Sequence, residues 1–175
     1  MQRFTNSILA ALDSRNWYGA LTLALALPDI CGWLENPKVS SRARCIAWWN
    51  KFLIAKYTSK VGANYDETVF LNGNDFYALR CAYLHQGGDD ITDQNARYII
   101  NKFMFVAPKE NIYFHCNTKI NDVHETLQLQ VDVFCRDICF GVEQWILQNA
   151  SDVEIVRRIN EELIIIHDLS GGIIF

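Results

Sequence analysis

Only three of the 175 residues are proline and nine are glycine, and no stretch is of low complexity. Half the residues are hydrophobic and 13% are aromatic, which excludes a disordered segment. Positive charge is in deficit: 16 Lys and Arg stand against 20 Asp and Glu, for a formal net charge of −4. A protein that coats nucleic acid through overall basicity is thereby excluded, but a local cationic pocket is not. No apolar run reaches the roughly twenty residues of a membrane span, because the most apolar stretch, residues 17–34, is interrupted by Pro28, Asp29 and Gly32. The opening MQRFTNSILAALDSRNW lacks the continuous apolar centre of a signal peptide. The expectation is a cytoplasmic chain with no membrane partner.

Short Cys-x2-Cys knuckles are also missing. The six cysteines are Cys31, Cys45, Cys81, Cys116, Cys135 and Cys139. Four of them (Cys31, Cys45, Cys135 and Cys139) adjoin Ile or Phe, as small buried hydrophobes do, so reduced core thiols are expected rather than a disulfide framework. Cys81 with His85, and Cys135 with Cys139, are each four apart on a helix. Together they could offer four zinc ligands, but without knuckles the preferred reading is two pairs of helix-core residues.

The pattern along the chain is mainly helical. Phe4, Ile8, Leu9, Ala11 and Leu12 form a helical stripe ending in polar residues 13–16. The stretch WYGALTLALALPDICGWL is apolar almost all round, which marks a central buried helix that Pro28 should kink or interrupt. Asp29 is its one charge and needs a cationic partner. Ser40 or Ser41 can cap a third helix running to Tyr57. Arg42, Arg44, Lys51, Lys56 and Lys60 form a basic neighbourhood that reads as a solvated face. Residues 61–73 read as a polar connector.

A fourth helix follows, with Asn74 or Asp75 as its cap, Phe76, Leu79 and Tyr83 as its core stripe, and Gly87-Gly88 as its stop. Residues 94–100 can make a short helix. Beyond them, Lys102–Val106, residues 111–115 and residues 126–131 read as strands, separated by turns at 107–110 and 117–122. The expected insertion at about 102–131 is therefore a small antiparallel meander. Asp132 can cap the next helix, and Ser151 or Asp152 the last, which precedes an apolar tail. No internal repeat or linker divides the chain, so residues 1–175 are expected to form a single, mainly α domain.

There is no Gly-rich phosphate loop, no Ser-His-Asp arrangement and no defensible pair of catalytic carboxylates. What remains is Arg80 and His85. His85 falls in the last turn of its helix, where the carbonyl end of the helix dipole favours imidazolium and suits an acid or base. Arg80 lies among Leu79, Cys81 and Ala82 and needs an anion: Asp29, Asp75 or a phosphate. If Asp29 orients Arg80, its other donors are left for substrate. His115, His124 and His167 have no reactive neighbour in sequence and read as structural. Residues five apart on a regular helix point about 140° away from each other. Arg80 and His85 can therefore converge only if the helix end distorts or a second copy contributes, which favours a symmetric dimer.

Arg80-Cys-Ala-Tyr-Leu-His85, closed by Gln86-Gly87-Gly88 and preceded by LALPDICGWLE, resembles the Arg-x4-6-His signature of the HEPN superfamily, helical domains of bacterial toxin and defence ribonucleases. The likeness covers residues 1–90 well and the helix from Asp132 in part. It implies an HEPN-like helical bundle acting as a homodimeric, metal-independent endoribonuclease on RNA, without a cofactor and with an antitoxin or other partner protein. Arg80 and His85 would be catalytic, with Asp29, Cys81 and Tyr83 around them. The 2′-hydroxyl would attack the adjacent phosphate, with His85 as general base or acid and Arg80 stabilising the phosphorane charge. The alternative is a non-catalytic helical interaction or nucleotide-binding module in which Arg80 is a salt-bridge residue.

Overall fold

A computed structural model describes residues 1–91, 102–120 and 125–167. Among these residues the chain forms six α-helices and two small sheets, a mainly α architecture. The helices are α1 (Gln2–Asp13), α2 (Trp17–Glu35), α3 (Ser41–Phe52), α4 (Gly73–Gln86), α5 (Val131–Asn149) and α6 (Val153–Glu161). A hairpin of β1 (Thr58–Val61) and β2 (Asp66–Val69) precedes α4, while β3 (Lys102–Val106), β4 (Asn117–Ile120) and β5 (Glu125–Gln130) precede α5.

The apolar helix α2 is central, packed against α1, α3 and α5. It is the one described helix long and apolar enough to cross a membrane, and half of that window is buried inside the fold. Pro28 does not end it. The helix runs unbroken through the proline, whose ring is buried, so surrounding packing outweighs the lost donor.

Trp49 anchors the core. Its ring stacks on Phe76 at 4.2 Å and lies 4.9 Å from Tyr57, and its Nε1 donates to the Leu71 carbonyl at 3.0 Å. Cys31, Cys45, Cys135 and Cys139 are buried and all six thiols are free. Helix α3 stops at Phe52 and a 3₁₀ turn, Ile54–Tyr57, carries the chain onward. The expected polar connector is in part the β1–β2 hairpin, whose side chains are mostly exposed.

The sheet before α5 corrects the expected antiparallel meander. Its order is β3-β5-β4, with β5 parallel to β3 and antiparallel to β4. Residues 111–115 are not a strand, and β4 falls where a turn was expected. Alternation reports which residues face inward and not which strands pair. Residues 113–115 are instead held by β5 through a side chain: the Phe114 N–H donates to Gln130 Oε1 at 3.0 Å. As the middle strand, β5 has both edges paired, and residues on both its faces are buried, Thr126 and Gln130 along with Leu127 and Leu129. The expected short helix at 94–100, His124 and the tail beyond residue 167 lie outside the described residues.

Candidate functional site

Helix α4 begins one residue before the expected caps. Asn72 is the cap, its Oδ1 accepting from the Asn74 and Asp75 N–H groups at 2.8 and 3.0 Å. Asp75 instead accepts from Asn72 Nδ2 at 2.8 Å. The early start follows from Gly73, which packs so closely on α3 that an added Cβ would lie 2.8 Å from the Ile46 carbonyl oxygen. At the other end Gly87 takes the left-handed conformation (φ 68°) and donates to the Tyr83 carbonyl, while Gly88 donates to that of Ala82. This is the glycine stop read from the sequence.

Between these ends, Arg80 points at α2. Its Nη2 donates to Asp29 Oδ2 at 2.9 Å, and its guanidinium carbon lies 6.0 Å from the Tyr77 ring centre. Asp29 thus has the cationic partner its position demanded, and a second one. Arg44 Nε donates to Asp29 Oδ1 at 2.6 Å, and Ser41 Oγ donates to Oδ2 at 2.8 Å. The three charged side chains are 13–17% exposed. One carboxylate therefore sits between two guanidiniums, and the cluster carries a net positive charge in a poorly solvated setting. Among the described residues, Arg80 Nε has no acceptor and is buried there.

The sequence does not single out Arg44, which sits in a charge run read as solvated. Its one signal is its place three residues after Ser41, in the first turn of the helix that follows the one carrying Asp29. Among the expected basic neighbourhood, Lys56 stays exposed as expected and pairs with Asp137 at 2.7 Å.

His85 is exposed in the last turn of α4. Since α4 is regular from Gly73 to Gln86, it stays about 140° around the helix from Arg80. One chain does not bring the two side chains together. Tyr83 reaches α2 through long contacts of its hydroxyl, 3.5 Å from both Thr22 Oγ1 and the Tyr18 carbonyl oxygen. Cys81 is half-buried beside Tyr77, whose hydroxyl is pushed up by burial and by the adjacent Cys81 thiol. Behind them, burial and the nearby Asp29 push the Cys45 thiol up to about 12. The pairs Cys81/His85 and Cys135/Cys139 do not assemble. Among the described residues no group of three or more His, Cys, Asp and Glu side chains is arranged to hold a metal ion.

A second polar cluster, missed in the sequence, surrounds His115. Its Nδ1 accepts from the Gln130 N–H at 3.2 Å, and its Nε2 lies 4.0 Å from Asp137 Oδ2. Asp137 also accepts from Lys56 Nζ at 2.7 Å and from the Tyr57 hydroxyl at 3.3 Å. Burial and the adjacent Asp137 hold the Tyr57 hydroxyl well above its usual range.

The chain was compared with protein families, curated proteins and solved structures: no family model, no curated protein and no solved structure matches it.

Proposed function

We propose that this chain is an HEPN-like, metal-independent endoribonuclease of the bacterial toxin or defence type, acting in the cytoplasm as a homodimer and held in check by a partner protein. The observation that supports this most is the state of Arg80. It is held by Asp29 through one nitrogen, and its Nε stays buried without an acceptor among the described residues. A guanidinium fixed on one side and unsatisfied on another suits a phosphate oxygen. His85, exposed before a glycine cap, is accessible to the same backbone.

In this reading the ribose 2′-oxygen attacks phosphorus as a base removes its proton. The bond from phosphorus to the 5′-oxygen breaks, the leaving oxygen takes a proton, and a cyclic phosphate remains. His85 serves as base or acid, and Arg80 offsets the charge gathering on the phosphoryl oxygens. The wide angle between the two residues on a regular α4 makes a second copy necessary for joint action.

The non-catalytic reading rests on a different observation. Arg80 is 15% exposed and already paired, as expected of a residue that fastens α4 to α2. The two readings separate on RNA cleavage in EDTA by wild type, Arg80→Ala and His85→Ala, with folding checked by circular dichroism. The nuclease reading expects loss of cleavage in each variant and its return when the two variants are mixed, because a mixed dimer regains one Arg80–His85 pair across the seam. Cleavage that persists in both folded variants is contamination and removes the reading.

A further inference from the structure

The His115 cluster plays no part in the proposed chemistry, and its geometry is unusual. The His115 side chain is 5% exposed. Because Nδ1 accepts a hydrogen bond from the Gln130 N–H, it carries a lone pair, and the neutral ring bears its proton on Nε2. That Nε2 is buried with no hydrogen-bond partner among the described residues, and the Asp137 carboxylate stands 4.0 Å away, just out of reach. One ring nitrogen is satisfied only while the ring is neutral. The other faces an anion it could engage after a small movement.

The surrounding stretch is held chiefly by Gln130. Residues 113–115 make no strand pairing. Their stretch is bracketed by two non-glycine residues in the left-handed region, Asn111 at φ 61° and Cys116 at φ 55°. Gln130 grips it twice, by its N–H to His115 and by its Oε1 to the Phe114 N–H at 3.0 Å, while Gln130 Nε2 donates to Asp132 Oδ1 at 2.9 Å. Tyr113, 73% exposed, gives little opposing packing.

We propose that residues 113–116 form a pH-operated latch, closed on Gln130 while His115 is neutral and released when His115 gains a second proton and turns to Asp137. A proton on Nδ1 would face the Gln130 N–H donor to donor, so the closing bond is lost outright rather than weakened. From α5, Asp137 and Asp132 attract the imidazolium. From the 3₁₀ turn, Lys56 repels it and competes for Asp137, as does the Tyr57 hydroxyl. From its own stretch it meets Tyr113 and Cys116, both neutral near physiological pH, Cys116 because burial and Asp137 raise it to about 12.

Burial lowers the closed-state pKa of His115 below its usual 6.5, against the pull of Asp137. The closed latch binds fewer protons than the open one, in which pairing with Asp137 favours the imidazolium, so closure is at full strength above the open-state pKa and is lost as pH falls from there toward the closed-state value. Within that window opening rises as pH falls, by at most about tenfold per pH unit.

The test is NMR on the full chain. Long-range ¹⁵N correlation of the His115 ring should show the Nε2–H tautomer at neutral pH. Protection of the Gln130 and Phe114 amides, corrected for intrinsic exchange, should fall as pH drops through this window, by at most about tenfold per unit. In His115→Asn, whose amide oxygen can take the place of Nδ1 without titrating, the same protection should be flat. The proposal is overturned by an Nδ1–H tautomer, by flat protection in the wild type, or by equal pH dependence in His115→Asn. Should that variant fail to fold, the wild-type tautomer and its titration decide alone.

Discussion

Replacing Asp29 by Asn tests the joint between α2, α3 and α4. The carboxylate accepts from Arg44 at 2.6 Å, Ser41 at 2.8 Å and Arg80 at 2.9 Å. Asn keeps the shape but has one acceptor oxygen and no charge, so two guanidiniums lose their counter-ion at once. Stripping the partner from a fully buried ion costs about 3–5 kcal/mol. At 13–17% exposure water still reaches these side chains, so about 2–3 kcal/mol is the expected loss. For a chain of this size that lowers Tm by roughly 4–12 °C. Arg80→Met should cost less, about 1–2 kcal/mol, because Asp29 keeps Arg44 and Ser41. The double variant should cost less than the two singles summed, by at least about 0.5 kcal/mol, because the second change removes a charge the first left unpaired. Urea unfolding with an unchanged m-value is the assay. An Asp29→Asn loss below about 0.5 kcal/mol, or strict additivity, would refute the shared-carboxylate account.

Two further outcomes follow from packing. Gly141→Ala would set a methyl 2.6 Å from Trp48 Cη2 and 3.2 Å from Leu53 Cδ2, so chemical denaturation should show a loss of about 1–3 kcal/mol, and a neutral result would mean α5 does not sit this close to α3. Iodoacetamide at about pH 8 should reach half-buried Cys81 first, whereas Cys45, raised to about 12, has a thiolate fraction of only about 10⁻⁴ there. Peptide mapping that finds Cys45 modified in the native protein as fast as Cys81 would contradict its burial.

The helices were legible because their cues are local. The stripe of α1, the all-round apolarity of α2, the glycine stop of α4 and the Asp152 cap of α6, which accepts from the Glu154 and Ile155 N–H groups at 3.0 Å, each lie within a few residues of what they determine. The sheet was legible as strands but not as a topology. Lys102 pairs with Thr126 across 24 positions, and no nearby residue encodes that choice. The Asn72 cap was missed because Asn74 and Asp75 have equal intrinsic preference. What selects Asn72 is the contact of Gly73 with α3, which is tertiary. For the site, the apolar setting of Asp29 announced a buried cation, and Arg80 was the right kind of residue at the right depth. Arg44 was hidden because a solvated arginine and a half-buried one look alike in a charge run. His115 was hidden for a related reason: its partners come from the 3₁₀ turn, β5 and α5.

The two ends of α4 differ in a way that constrains any joint use of Arg80 and His85. Its N-terminus is fastened by the Asn72 cap, by Gly73 donating to Asn50 Oδ1 at 3.1 Å, and by Phe76 stacked on Trp49 at 4.2 Å. Its last turn carries half-buried Tyr83 and Leu84 and exposed His85 and Gln86. Moving Arg80 outward means giving up an ion pair in a poorly solvated cluster, while turning His85 gives up no hydrogen bond or ion pair found among the described residues. If the two act on one phosphate, the phosphate must therefore come to Arg80, and the imidazole must be brought to it. A regular helix cannot do that within one chain. On the proposed nuclease reading, positional freedom lies with His85 and fixed placement with the Asp29–Arg80 pair, so Asp29→Asn should lower RNA cleavage while leaving the oligomeric state seen by size-exclusion chromatography unchanged.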